Sequence, residues 1–457
     1  MNILSFLYDK WSLPISKDIP EPTLSESNVS DVLVIGGGPA GTTFASTMRN
    51  HGWKVILLEK DHHPRFHIGE SLLPMNLPIL ERLGVLEEVC QIGVPKMGAD
   101  FTLGNSGSDY QTFHFSQALG ESPDHAFEVR RAEFDNLLFR NCQRLGVIAR
   151  EGTKVTGVQR LGDSHFLVQS VDAQGTRQEW KTRFLVDASG RDTFYAKLNG
   201  WKKRNPKHSS AAVFSHFKNV KRRPGDDAGN ISIYWFDHGW IWMIPLQNNV
   251  MSIGAVCFPE HLRHRRGSLD EFLLKTLNGV SEARERIVGA ELAMPAQATG
   301  NYSYLSSQMS GPGYLLVGDA FAFIDPVFSS GVYLAMDSAE RGAQVAEAWL
   351  SGNQMRYWLA KRRYRRQTKR AISTFSWFIY RFTSPVMSFL MSNPRNVLKV
   401  VQAVISMLAG DVYANRDVSR RLVVFKTIYN VAWLMQWREA IQYRRLRRAS
   451  VKLENST

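Results

Sequence analysis

The feature that most constrains the fold lies at residues 31–59. DVLVIGGGPAG is an apolar run of strand length that ends in glycines, TTFASTMRNHGW after it has helical composition, and KVILLEK is a second strand ending at Glu59. Gly36, Gly38 and Gly41 stand in G-x-G-x-x-G spacing, and Glu59 lies 23 residues beyond Gly36. Gly36 permits the tight turn, Gly38 lets a pyrophosphate approach backbone N–H groups at a helix N-terminus, and Gly41 allows close helix packing. Pro39 and Ala40 complete the cofactor-binding loop, and Glu59 can accept hydrogen bonds from an adenosine ribose. Strand, turn, helix, strand and acid in this order predict a Rossmann-like nucleotide-binding domain. A glycine turn between packed elements is the plainer alternative.

Past residue 200 the pattern changes. ISIYWF, GWIWMIPL and VMSIGAVCF are short β-rich runs, so an antiparallel meander is expected over 205–300. PGYLLVGDA then returns to a buried-strand pattern, and GVYLAMDSAERGAQVAEAWL follows as a helix. The expected fold class is α/β (α+β): an N-terminal extension over 1–30, the nucleotide domain in two parts over 31–204 and 301–345, the inserted antiparallel sheet over 205–300, and a basic all-helical region over 346–457.

Composition narrows the function classes. At 44% hydrophobic and 457 residues the chain can bury a sizeable core. Three widely spaced cysteines suggest neither a disulfide framework nor a zinc site, and Asp9 and Lys10 break any early apolar run, so a reduced cytoplasmic compartment is expected. Residues 351–457 hold 21 Lys and Arg against 4 Asp and Glu, while the remainder is slightly acidic. The net charge of +14 therefore belongs to one segment, and nothing earlier resembles a groove-reading nucleic-acid module. A localised cationic surface suits an acidic protein partner, an anionic membrane face touched peripherally, or solvent alone.

Three further segments point to flavin. FLVDASGR carries Asp187, VGDAFAFIDP carries Gly318, Asp319 and Pro326, and VRRAEFD carries Arg131. In order and spacing they resemble the flavoprotein monooxygenase superfamily over about residues 31–345. The resemblance implies FAD, with Asp319 on a ribityl hydroxyl and Arg65 and Arg131 also at the cofactor. A strand-end cap is the alternative for Asp187 and Asp319. Two motifs narrow the family: Trp240, Trp242, Ile244 and Pro245 fit W-x-W-x-I-P, and Phe323, Pro326, Ser329 and Gly331 fit F-x-x-P-x-x-S-x-G. Both resemble flavin-dependent halogenases. The resemblance implies that Trp240, Trp242, Ile244 and Pro245 form a barrier between flavin and substrate. On a strand, Trp240, Trp242 and Ile244 share one face.

The same resemblance implies the rest of the site. Reduced FAD, O₂ and chloride or bromide make hypohalous acid, which a lysine relays to the substrate. Here GESLLP followed by GVPKMGADF puts Lys96 at that position. Halide would rest against the backbone of Ser330 and Gly331, at the start of a helix beginning near Val332, where side-chain capping is the competing role. Tryptophan halogenases carry a glutamate two residues after the proline, and here that position is Phe328. An apolar residue suits a phenol or pyrrole that directs its own substitution. The resemblance is nearest to halogenases acting on rings tethered to an acidic acyl or peptidyl carrier protein, and it extends through SNPRNVLKVVQAVISMLAGDVY. No second glycine loop is visible, which implies a separate flavin reductase. The rivals are a flavin-dependent aromatic hydroxylase and a non-catalytic, membrane-associated flavoprotein.

Overall fold

The computed structural model describes residues 26–102, 110–205, 210–263, 265–300, 303–392, 394–413 and 415–443. Most of the N-terminal extension and the Arg-rich stretch at 444–448 lie outside the described residues. The apolar run Val29–Ile35 forms the centre of the first sheet, parallel to Arg177–Asp187 on one side and to Val55–Leu58 on the other. Ile148–Arg150 and Tyr314–Leu316 extend the parallel array outwards. Val55–Leu58 is buried along its whole length, as a strand covered on both faces must be. The helices Pro39–Asn50 and Ser330–Leu350 pack against each other over this sheet. The latter turns Val332, Met336, Ala339, Ala343, Ala346 and Leu350 inward at 3.6-residue spacing.

The second sheet contains the expected meander, in the order Ala211–Lys218, Val250–Cys257, Gly239–Leu246, Ile231–Phe236. It is not confined to 205–300. Gly98–Thr102 pairs in parallel with Ile231–Phe236, and Tyr110–His114 pairs with Gly98–Thr102. An apolar edge on Ile231–Phe236 would otherwise stand open, and these strands from earlier in the chain cover it.

The C-terminal region is helical, with Gln354–Phe382, Pro385–Ser392, Val400–Ala409 and Arg416–Met435. In the long first helix Tyr357, Tyr364, Thr368, Ala371, Phe375, Phe378 and Phe382 form a buried stripe. This bears on one of the three readings of the basic segment, a membrane face carried by its aromatic rings. Phe378 and Phe382 are each 2% exposed within the core that also holds Trp240 and Trp242, and Trp377 packs on Tyr429 at 5.3 Å. Rings committed to the core are not available to lie among headgroups. Among the described residues no helix is long and apolar enough to cross a membrane.

Candidate functional site

The ends of the parallel strands and one face of the antiparallel sheet enclose a long cleft. Gly36, Gly38, Pro39, Ala40, Glu59, Arg65, Arg131, Asp319 and Pro326 line it at one side, and Trp240, Trp242, Ile244 and Gly331 at the other. Gly36 has φ +104°, and Gly41 is pressed so close that a Cβ there would lie 1.9 Å from the Gly36 carbonyl oxygen. Both glycines are therefore required by the turn and the helix approach. Glu59 accepts from Gly37 N at 2.6 Å and from Asp61 N at 2.9 Å, which fixes its carboxylate at the cleft edge. Arg131 forms a bidentate pair with the buried Asp135, at 2.8 and 3.0 Å, and Arg65 reaches the same carboxylate at 3.4 Å.

The cleft fits an FAD on three observations. The helix from Pro39 has no side-chain cap, so its first N–H groups remain for an anion, and a Cβ on Gly38 would meet only Arg65 Nη2, at 3.8 Å. Among the described residues Arg65 Nε is buried with no hydrogen-bond partner and only a 3.8 Å ion contact to Asp61. The Asp319 carboxylate opens into the cleft and receives no protein hydrogen bond among the described residues. Burial pushes its pKa up to about 6, against the pull of Arg131 and Arg191. Such a carboxylate is stabilised by a hydroxyl donor.

Other residues stand outside the cleft lining. Asp187 is 1% exposed and accepts from Ser189 N at 3.0 Å and Tyr195 N at 2.9 Å, so it caps the strand end. Gly318 takes φ +55° and donates to Ser338 Oγ, shaping the turn that presents Asp319. Trp240, Trp242 and Ile244 do share one face, with the two indole centroids 5.8 Å apart, but Pro245 lies on the opposite face of the same strand. Pro245 is thus part of the strand's far side rather than of the wall. Gly254, opposite Trp242 in the ladder, leaves the slot the indole fills, since a Cβ there would lie 2.3 Å from the ring.

The loop ahead of the Ser330–Leu350 helix is bent by Ser329, which adopts the left-handed region at φ 54° and ψ 20°. The helix begins at Ser330, two residues earlier than expected. Ser329 makes no side-chain cap, and the Ser330 hydroxyl is buried without a partner among the described residues. Gly331 faces open space on the cleft. Phe328 is 7% exposed and meets Phe382 edge-on at 5.4 Å and Phe378 at 6.5 Å.

Lys96 is 1% exposed and does not line the flavin cleft. Its Nζ donates to Ser71 Oγ at 2.8 Å and to the Leu72 carbonyl at 3.1 Å, and Ser71 itself lines the cleft. Burial lowers the lysine pKa, with Glu128 and Asp100 opposing. Glu128, 4.0 Å from Nζ, is a site residue that the motifs missed. Its signal was a lone carboxylate inside the apolar strand Ala126–Val129. Glu70, in the segment ahead of Ser71, pairs with His216 at 3.0 Å and ties that segment to the antiparallel sheet.

Comparison with known proteins gives the family and the fold. The tryptophan halogenase family profile matches residues 31–125 and 116–385. The 1H-pyrrole-2-carbonyl-[peptidyl-carrier protein] chlorinase of Pseudomonas fluorescens is 29% identical over 413 residues, 84% of this chain and 90% of that one. A flavoprotein/dehydrogenase from Cytophaga hutchinsonii superposes with TM-score 0.82 at 30% identity, covering 89% of this chain and 100% of that one. The myxobacterial chondrochloren halogenase CndH, a variant FAD-dependent halogenase, does so with TM-score 0.73 at 30% identity, covering 89% and 97%. With the nucleotide loop, the paired indoles and the buried lysine all in one fold, the chain belongs to the tryptophan halogenase family of flavin-dependent halogenases, enzymes that use FAD.

Proposed function

We propose that the chain halogenates an electron-rich ring of phenol or pyrrole type, presented on an acyl or peptidyl carrier protein, with Lys96 relaying the halogen. The observation that carries this reading is the amine itself, 1% exposed and held behind Ser71 at the edge of the cleft. An ammonium buried so deeply is costly, and a lowered pKa favours the free amine that a halogen can bind. Bound in reduced form, FAD supplies hypohalous acid from O₂ and halide. The N–H groups behind Gly38 would hold its pyrophosphate, Glu59 its ribose and Asp319 its ribityl chain, while the N–H groups of Ser330 and Gly331 would seat the halide. Trp240, Trp242 and Ile244 keep substrate out of the cofactor cleft. Lys96 then hydrogen-bonds the hypohalous acid, or takes its halogen, and orients it towards the ring.

Phe328, within a shell of Phe378 and Phe382, supports a ring that needs no carboxylate base. The likeness to a chlorinase of carrier-bound pyrrole supports a tethered substrate. Arg356, Arg362, Arg363 and Arg366 are exposed beside Trp358 and Leu359, a mixed cationic and apolar surface suited to an acidic carrier. A separate flavin reductase would supply reduced FAD.

The test is to incubate the purified protein with a flavin reductase, NADH, FAD, each halide and a panel of free and carrier-bound aryl acids, and to weigh the products. Halide-dependent mass gain on carrier-bound rings is expected. Lys96→Ala should keep FAD binding and peroxide release while losing halogenation by several orders of magnitude. Hydroxylated product without halide, near-normal Lys96→Ala turnover, or robust halogenation of free tryptophan would overturn the assignment.

A further inference from the structure

Lys96 has a buried companion to which the relay assigns no task. The strand Gly93–Lys96 pairs antiparallel with Ala126–Val129, and Glu128 on that neighbour is 0% exposed with a carboxylate oxygen 4.0 Å from Lys96 Nζ. Among the described residues no donor other than the nearby Ser71 hydroxyl reaches either carboxylate oxygen. Ser71 bridges to Glu128 through the backbone, and its hydroxyl holds Nζ at 2.8 Å, so the three residues converge. The Phe115 ring covers Nζ from 5.4 Å. Ser71 and Leu72 engage two of the three ammonium hydrogens, which leaves one for Glu128 after a small rotation of the lysine side chain.

The other carboxylates facing this pair are already committed. Glu70 is held by His216 at 3.0 Å, and Asp100 by Thr112 at 3.0 Å and Arg223 at 3.4 Å. An ionised carboxylate buried without donors is expensive unless it is paired or protonated. Lys96 and Glu128 satisfy that demand by holding one proton between them, which keeps the pair neutral overall wherever the proton sits.

We propose that Glu128 is the positioning residue that stores the proton of Lys96, taking it from Nζ before the halogen arrives and returning it to Nζ as the halogen leaves. This rests on the lysine relay. The transfer from Nζ precedes catalysis: in the resting pair burial has already turned ammonium and carboxylate into amine and carboxylic acid. The amine then attacks hypohalous acid: an N–halogen bond forms, the O–halogen bond breaks, and water departs. When the ring takes the halogen, the N–halogen electron pair stays on nitrogen and the Glu128 proton closes the N–H bond. The ring's displaced proton passes through water back to the Lys96–Glu128 pair, so charge and atoms balance and the pair again holds one proton. Burial favours the neutral form of both partners, lowering Lys96 and raising Glu128 to about 7 against the pull of Lys96.

Two measurements test the idea. In FAD-free wild-type protein, infrared spectra should show a protonated carboxyl that disappears as pH rises through about 7 and is missing from Glu128→Gln. In the FAD-loaded enzyme, wild-type kcat for halogenation should fall over the same range, because the stored proton is lost. Glu128→Gln should be slower by about 10²-fold and flat across that range, with FAD binding and peroxide release unchanged. A wild-type rate and pH profile in Glu128→Gln, or no carboxyl titration in the wild type, overturns the proposal. If Glu128→Gln does not fold, the wild-type spectra and pH profile decide alone. Normal halogenation by Lys96→Ala would remove the relay and this inference together, whereas an inactive Lys96→Ala beside a wild-type-like Glu128→Gln removes only the latter.

Discussion

Replacing Trp242 by alanine tests the indole wall both as packing and as chemistry. The side chain is 5% exposed, lies 5.8 Å from Trp240 and 6.2 Å from Phe214 by ring centroids, and fills the slot left by Gly254. Its Nε1 donates to Ser252 Oγ at 3.2 Å, and Ser252 is fully buried. Truncating a buried indole costs about 3–5 kcal/mol in transfer and cavity energy. Stranding the Ser252 hydroxyl adds about 1 kcal/mol. One face of the ring borders the cleft, where water can fill part of the void, so the expected loss is about 3–4 kcal/mol. Urea denaturation of FAD-free protein reads it as a lower midpoint at unchanged slope. A double-mutant cycle with Trp240→Ala should show coupling of about 0.5–1.5 kcal/mol, as for other aromatic pairs. Turnover should shift from halogenated product towards peroxide and hydroxylated product. A loss below about 1 kcal/mol would refute the packing described. The full loss with an unchanged product ratio would refute the barrier and leave only the packing.

Two other perturbations separate cofactor from partner. The folded pKa of Asp319, about 6, lies above the usual 3.8, so its protonation stabilises the fold fully below pH 3.8 and that benefit is lost as pH rises through 6. FAD-free Asp319→Asn should accordingly be more stable than wild type near neutral pH, by up to about 3 kcal/mol, equal to it in acid, and weaker in FAD binding. Parallel stability curves for the two proteins across that pH range would refute the origin assigned to the shift. Reversing Arg362, Arg363, Arg365 and Arg366 to glutamate should raise KM for a carrier-bound ring, leave a free ring unaffected, and abolish the salt dependence of the carrier reaction. An unchanged KM with the carrier would leave this face without a partner.

Much of the fold and part of the site was legible in the residue order, because both rest on local rules. The G-x-G-x-x-G loop, its flanking apolar strands and Glu59 are one contiguous unit whose geometry is dictated by which residues tolerate a tight turn. Alternation along Gly239–Leu246 likewise put two indoles and Ile244 on one face. The same alternation sends Pro245 to the other side, a consequence that motif membership obscured. What the tertiary structure alone decided depends on residues far apart in the chain. Gly98–Thr102 joins the second sheet by pairing with a strand about 130 residues later, which no local pattern encodes. The aromatic run at 377–382 suits a membrane face in sequence, yet the helix turns Phe378 and Phe382 into the core beside Phe328. Asp187 ends a strand and Asp319 sits in the turn just after one, and only packing separates their roles: one is consumed by backbone N–H groups, the other opens on the cleft. Glu128 meets Lys96 because two short strands run antiparallel there, and burial then fixes the electrostatics of the pair. Periodicity and turn chemistry act between neighbours in sequence, whereas desolvation and charge pairing act between neighbours in space.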